Sequence, residues 1–265
     1  MNIHPTAQIS AEANIAPEVI IGPNVVIEGP VRIDAHCVIK ANSILTGWVE
    51  IAENNQIGYG SIIGAEPQSH DFSPTTHSGV KIGPSNIIRE YVTIHRSLYP
   101  EQCTVLGEHN FLMTGAHLGH DCLIGDHNTL ANNVLLGGHV EILNNTFLGG
   151  GAGFHQFVRI GSLAMIQGNA SISKSIPPFT IASKLNEIVG LNVIGLKRAG
   201  FSSETRLEIQ KAYRLMYHSG LNFSQALAKA AEDTWSSETT PFFEFFRAPG
   251  KKGICGAPRA SSKRN

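Results

Sequence analysis

The sequence predicts a mainly β protein: a parallel β-helix of hexapeptide repeats, followed by a small C-terminal α-helical domain. Three observations predict it. An aliphatic residue stands at every sixth position from Ile3 to Ile63, and the beat returns at Ile82, Ile88 and Ile94. It then runs from Leu106 to Ile172, with Phe154 taking one of its steps. After Ile176-Pro177-Pro178 the beat ends and helix signals replace it. A period of six is not a multiple of 3.6, and a two-residue strand alternation would fill the intervening even steps as well, so the pattern is that of a solenoid.

Each hexad has its own grammar. The residue after the aliphatic is often glycine (Gly22, Gly58, Gly83, Gly107, Gly125, Gly137, Gly149), and the residue two before the next aliphatic is small or β-branched (Val19, Val25, Cys37, Ala116, Cys122, Val134, Ala152). A small side chain fits beside the inward aliphatic in a narrow prism, and glycine tolerates a cramped or left-handed corner. Asn24, Asn42, Asn54, Asn128, Asn132 and Asn144 are read as further corner supports. Three hexads make one coil, so residues 1–183 hold about nine coils.

Two interruptions follow in order. Between Ile63 and Ile82 a loop containing Glu66-Pro67-Gln68 must leave the prism. Around Ser97 to Thr104 the register is kept but Pro100 stands where an aliphatic belongs, which makes this hexad bulged or extruded. Beyond the solenoid, helices are expected over about 186–198, from a Ser202 cap to Gly220, after Asn222 with Gln225 completing a capping box, and from Pro241 through Phe242, Phe243, Phe245 and Phe246. The expected domains are 1–183 and 184–248. Residues 249–265, rich in Gly, Lys and Arg without an acid, are expected to be a disordered basic tail.

Composition bounds the function. With 265 residues and a formal charge of −1, the chain does not look like a nucleic-acid binder. No apolar run is long enough to span a bilayer, and the first residues lack the basic and apolar regions of a signal peptide, so cytoplasmic residence is expected. The four cysteines show no C-x-x-C spacing, and Cys37 and Cys122 fall on the small inward position, as reduced packing residues would.

Histidine carries the chemistry. Among twelve in the chain, His117 and His120 flank the inward Leu118, so both lie off the core near a corner. His139 and His155 follow at intervals near one coil, which predicts imidazoles stacked along one edge. His120 beside Asp121 suits general-base work, because a carboxylate fixes the tautomer and favours the imidazolium; the alternative is an ordinary polar corner.

Several stretches carry a family resemblance: His117-Leu118-Gly119-His120-Asp121-Cys122, Leu130-Ala131-Asn132-Asn133, Gly137-Gly138-His139-Val140, Arg89 to Arg96, His155-Gln156-Phe157, Pro177-Pro178, and Gly195-Leu196-Lys197-Arg198-Ala199-Gly200-Phe201. Over nearly its whole length the chain resembles the acyl-[acyl-carrier-protein]–UDP-N-acetylglucosamine O-acyltransferases of lipid A biosynthesis. The resemblance implies a left-handed β-helix, a homotrimer with sites between prisms, and transfer of a 3-hydroxyacyl group from acyl carrier protein to the glucosamine 3-position. It assigns His120 as general base, Asp121 as its orienting partner and the Gly138 N–H as oxyanion donor. It assigns sugar-nucleotide binding to Gln68, His117, His139, His155, Gln156, Asn192 and Arg198, and the end of the acyl groove to Gly168. No metal or cofactor is implied, the acyl thioester being a substrate. Acyl carrier protein is acidic, which predicts a basic docking patch at Lys197, Arg206 and Arg214.

The chain also departs from the family. The family loop Pro-Gln-Asp-Leu-Lys-Tyr reads Pro67-Gln68-Ser69-His70-Asp71-Phe72 here, and an acid and a second arginine are replaced by Ile194 and Ala199. A 3-amino sugar nucleotide is therefore the alternative acceptor. Two rivals differ in class. One is a zinc hydratase of the γ-carbonic anhydrase kind using His95, His117 and His120; the other is a binding solenoid without chemistry.

Overall fold

A computed structural model describes residues 2–248 and 250–258. The fold is the expected left-handed parallel β-helix. Strands of two to five residues assemble into three sheets of 11, 9 and 8 strands, which form the faces of a triangular prism. The first face carries Ile20–Ile21, Phe111–Leu112, Phe147–Leu148 and Met165–Ile166; the second His117–Leu118, Leu135–Leu136 and Gly153–Phe154; the third Val31–Ile33, Trp48–Ile51, Gly79–Ile82 and Arg159–Ile160.

The beat residues line the interior in columns, with Leu112, Leu130, Leu148 and Ile166 paired coil on coil. From Ile21 onward almost every beat residue is fully buried. Each such side chain stabilises the fold by roughly 1.5–3 kcal/mol relative to exposure. Cys37 and Cys122 sit among them, and burial pushes the Cys122 thiol up to about 12. A column of amides supplements this core at one corner. The Oδ1 of Asn55 accepts from the Asn86 N–H, Asn86 from Asn110, Asn110 from Asn128, and Asn128 from Thr146, at 2.8–2.9 Å. Asn128, expected as a corner support, is therefore a buried rung.

The glycines and the left-handed residues turn out to be different positions. Glycine directly after the beat is required by closeness of coils: a Cβ on Gly137 would fall 2.9 Å from the Gln156 nitrogen. The left-handed corner residue comes two places later, as at Asn24, Asn42, Asn54, Asn133 and Asn145, whose φ lies between 55° and 62°. Asn132 and Asn144 precede that position and are not left-handed.

Both interruptions leave the prism. Across the first, Ile57 pairs with Ile88, and across the second, Leu112 pairs with Ile88, spacings of 31 and 24 against 18 in an unbroken coil. The second therefore extrudes one whole hexad, residues 97–102.

Two sequence expectations are corrected at the C-terminal end. The span 186–198 is not one helix. Glu187–Leu191 is a strand, antiparallel to Thr180–Ser183, and it caps the first sheet; helix α1 is only Val193–Arg198, with Asn192 as its N-cap. The alternation of Ile188 inward and Val189 outward is that of a strand on a covered edge. Helices α2 (Ser203–His218), α3 (Phe223–Ala230, with the Asn222/Gln225 capping box) and α4 (Thr240–Arg247) follow as expected. They pack through Ile209, Met216, Ala226, Phe242 and Phe243.

The second correction concerns the expected disordered tail. Residues 250–258 run back along the solenoid as an ordered strap. Ile254 bridges Ser175, Gly256 bridges Glu187, and Cys255 is fully buried, accepting from the Tyr217 hydroxyl through its carbonyl at 3.0 Å. Composition conceals this because the strap is held chiefly by its backbone. The remainder of that tail, 259–265, lies outside the described residues.

Candidate active site

Three successive turns of the corner between the second and third faces build the site. Residues 18 apart stack in columns. One column is His120, Gly138 and Gln156; the next is Asp121, His139 and Phe157. His155 occupies a third position, directly after the beat. The expected single stack of His120, His139 and His155 is thus corrected: His139 lies parallel to Phe157 at 4.4 Å and meets His120 edge-on at 5.2 Å, and His155 is an exposed neighbour of Gln156. Spacings of 19 and 16 are one residue past and two short of a coil, enough to change the corner position.

His120 and Asp121 are both buried, and His120 Nδ1 donates to Asp121 Oδ2 at 2.7 Å. That bond places the ring proton on Nδ1 and leaves Nε2 as an acceptor. The carboxylate is held in turn. Ser97 Oγ donates to Oδ1, the Leu98 N–H donates to Oδ2 at 3.2 Å, and the Asp121 N–H donates to Thr104 Oγ1 at 2.8 Å. Ser97 and Leu98 belong to the extruded hexad, so the break at Pro100 builds the clamp on Asp121. Sequence reading passed over both residues, although the break itself marked the place.

Nε2 of His120 looks toward Gly138, where a side chain would collide: a Cβ there would lie 2.5 Å from both Nε2 and Cε1. The Gly138 N–H donates to no acceptor among the described residues. A base and a free N–H donor thus stand one coil apart on the wall of a cavity of about 120 Å³. Gln68, His95, His117, Gly119, Gly137 and Gln156 complete its lining. His117 Nδ1 pairs with Thr93 Oγ1 at 2.8 Å, and burial, helped by His95, pushes its pKa down to about 4. Burial also lowers the pKa of His139.

The remaining candidates lie elsewhere on the chain. Asn192 and Arg198 line a groove of about 620 Å³ on the first face, together with His127, Phe147, Met165, Ile194 and Ala199. This groove shares no lining residue with the histidine cavity. Gly168 is exposed at the corner between the first and second faces, tight against the Gly150 carbonyl. Leu135, half exposed, and Gly153, which has nothing within 4 Å of its missing Cβ, lie on the second face beside the cavity. Of the basic patch, Lys197 and Arg214 are exposed, whereas Arg206 is turned back onto the Phe201 carbonyl.

A metal reading finds a different trio from the one expected. Donor atoms of His120, Asp121 and His139 lie within 4.8 Å of one another. Both Asp121 oxygens there already accept hydrogen bonds, as described above, and His120 Nδ1 is committed as the donor of one of them. His95 and His117 meet edge to face at 5.2 Å, and their Nδ1 atoms are committed to the Glu66 carbonyl and Thr93.

Comparison with known proteins gives consistent results. Residues 103–138 match the bacterial transferase hexapeptide model (six repeats), and residues 176–255 match the model described as UDP N-acetylglucosamine O-acyltransferase, domain 2. An acyl-[acyl-carrier-protein]–UDP-N-acetylglucosamine O-acyltransferase of Gloeothece citriformis is 42% identical over 205 residues, 77% of this chain and 72% of its own. One from Syntrophobacter fumaroxidans is 35% identical over 257 residues, covering 96% and 99%. Among solved structures, the UDP-N-acetylglucosamine acyltransferase of Francisella novicida superposes with a TM-score of 0.91 at 34% identity, over 98% of this chain and 96% of its own. That of Bacteroides fragilis gives 0.89 at 40% identity, over 95% and 99%.

Proposed function

Because the chain belongs to the acyl-[acyl-carrier-protein]–UDP-N-acetylglucosamine O-acyltransferase family, we propose that it transfers a 3-hydroxyacyl group from acyl carrier protein to the 3-hydroxyl of UDP-N-acetylglucosamine, the first step of lipid A biosynthesis. One observation carries the mechanism: the Asp121-held His120 presents a free Nε2 beside the uncommitted N–H of Gly138. Nε2 takes the proton of the acceptor hydroxyl as its oxygen attacks the thioester carbon. The charge that develops on the carbonyl oxygen is met by the Gly138 N–H, a contribution of about 3 kcal/mol for one such donor. The C–S bond then breaks, and the leaving thiolate recovers the proton from His120. The acyl group passes directly between substrates, with no enzyme-bound intermediate, metal or cofactor.

The assembly we propose is a homotrimer. Gln68, His117 and Gln156 line the histidine cavity, with His139 against His120 and His155 beside Gln156, while Asn192 and Arg198 line a separate groove on the first face. A three-fold arrangement of parallel prisms apposes these two surfaces and makes one sugar-nucleotide site from both, with Arg198 offering a planar fork to the diphosphate. Outward residues of the first face support this: Ile20, Ile87 and Phe147 remain 44%, 41% and 41% exposed in the single chain. The third face carries ion pairs beside its half-exposed Leu123, Arg32 with Asp34, Lys81 with Glu50 and Arg159 with Glu141. The acyl chain would run over Leu135 and Gly153 toward Gly168, whose missing side chain leaves the groove open. Acyl carrier protein would approach over Lys197 and Arg214. No helix among the described residues is long and apolar enough to cross a membrane; cytoplasmic residence belongs to the same proposal.

The test is acyl transfer from 3-hydroxyacyl carrier protein to UDP-N-acetylglucosamine, with wild type beside His120→Ala. Wild-type turnover and a loss of about 10²–10⁴-fold in the variant are expected for removal of a general base. Ile194 and Ala199 make the groove more apolar at the position of the family's charged pair, so the 3-amino analogue is assayed alongside. Faster transfer to the amine would move the acceptor, and activity unchanged in His120→Ala would remove the base.

A further inference from the structure

The excursion over residues 65–78 brings Gln68 to the rim of the histidine cavity, yet little of it is fastened to the prism. Between Pro67 and Thr76 its hydrogen bonds among the described residues are internal: Ser69 N–H to Pro67 O, Phe72 N–H to Ser69 O, and Thr76 N–H to Ser73 O. Its roots are tied to the solenoid. The Arg96 N–H donates to the Ala65 carbonyl at 3.0 Å, the His95 ring donates to the Glu66 carbonyl, and Ser78 Oγ donates to the Ser97 carbonyl at 2.6 Å. A long segment with so few ties to the body is the kind that opens locally before the rest of a protein.

One side chain reaches across the gap. The guanidinium of Arg96 lies 5.1 Å from the centre of the Phe72 ring, and its Nη2 is 3.4 Å from Glu66 Oε1. The Arg96 side chain is only 13% exposed. Its Nε is the buried side-chain nitrogen that finds no partner among the described residues. Gly47 makes room for it, since a Cβ there would stand 2.9 Å from Nη1. Burying a cation with one long ion pair is unfavourable by itself, and an arginine so placed needs a reason. The reason is the guanidinium's place over the Phe72 ring, where its planar fork meets the ring and Glu66 at once, as the single ammonium of lysine cannot.

We propose that Arg96 is the positioning residue of the acceptor loop: by gripping Glu66 and Phe72 from beneath, it sets where Gln68 stands over the His117–His120 cavity. This rests on the acyltransferase reading for the identity of the acceptor, but not for the hold on the loop. Arg96 touches no reacting atom, so its loss acts on acceptor affinity and leaves the chemical step intact.

The experiment measures loop order and kinetics separately on folded protein. In Arg96→Met, amide hydrogen exchange over residues 68–76 should accelerate about tenfold or more, with the coils on either side unchanged. KM for UDP-N-acetylglucosamine should rise about tenfold, while kcat and KM for the acyl carrier protein donor stay within about twofold. Arg96→Lys should resemble Arg96→Met, because it keeps the charge and loses the planar fork. Phe72→Leu should shift the same two readouts, and the double variant should go no further than Arg96→Met alone. Unchanged loop exchange, or full rescue by lysine, would overturn the grip. Equal losses in kcat and both KM values would mean general damage and overturn it too. Were the wild type inactive on this acceptor, the functional proposal would fall while the exchange measurement still decided the role of Arg96.

Discussion

Two corners of the same prism make the same turn with different residues. Between the first and second faces the left-handed position is filled by Asn42, Asn133 and Asn169, by Gly60, Gly115 and Gly151, and once by an aromatic, Tyr91. Between the second and third faces, in the coils of the site, it is filled by Asp121, His139 and Phe157, with φ of 61°, 60° and 66°. Glycine and asparagine adopt this conformation most readily, aspartate and histidine less often, and a bulky residue such as phenylalanine at a cost of roughly 1–2 kcal/mol. The first corner therefore keeps to the local rule except at Tyr91, whereas the second fills all three coils of the site with residues less suited to the turn. What the broken rule provides is placement: a left-handed Asp121 turns its carboxylate under His120, and His139 and Phe157 stack above it.

The largest effect that bears on this contrast is expected from Asp121→Asn. Asparagine suits the left-handed turn, so any fall in the denaturation midpoint should come only from the lost buried acceptor for Leu98 and His120. Activity should nevertheless drop about 10²–10⁴-fold, because an amide can hold His120 in the wrong tautomer. A variant that kept full activity would show that the carboxylate is only a corner residue. A smaller effect separates strain from packing. Phe157→Asn should destabilise by less than about 1 kcal/mol, well below the 3–5 kcal/mol of an ordinary core phenylalanine loss, because relief of the turn offsets lost stacking. Asn133→Phe at the well-behaved corner should destabilise by about 1–2 kcal/mol without touching catalysis. Equal losses at both sites, measured by urea unfolding, would erase the contrast.

A separate expected effect is one of pH. His117 beside the site has its pKa pushed from the ordinary 6.5 to about 4 by burial and by His95. The unfolded chain takes up this proton near pH 6.5 and the folded one only near 4, so its contribution is intact above 6.5 and is lost as pH falls through that window. His117→Gln should flatten the decline of stability between pH 6.5 and 4. A slope identical to wild type would mean that other groups carry the acid sensitivity.

These contrasts also show what the sequence made legible. The inward beat was plain because burial of aliphatics repeats without regard to neighbours, and it delivered the fold and the corner holding His120. The alignment of His120 with Gly138 and Gln156 was equally present, as spacings of 18, but three unlike residue types do not look like a column until the coil length is applied to each. The clamp of Ser97 and Leu98 on Asp121 was hidden because it crosses between coils through an extruded hexad. The strand Glu187–Leu191 was masked by the true helix behind Asn192, and the strap at 250–258 by a composition typical of mobile chain. The separation of Arg198 from the histidines was invisible for a simpler reason: hexad counting gives the face on which a residue lies only while the beat lasts.

The buried amides from Asn55 to Thr146 carry one more consequence, for how this rod comes apart. Solenoid coils ordinarily melt or peel as nearest neighbours, each release independent of the one beyond. Here each asparagine carbonyl in the run accepts from a backbone N–H of the next coil, so freeing one rung leaves a polar group stranded in a dry interior. Pulled from its ends, the rod should shed its first coils one at a time in small steps and then yield its middle in a single larger rip.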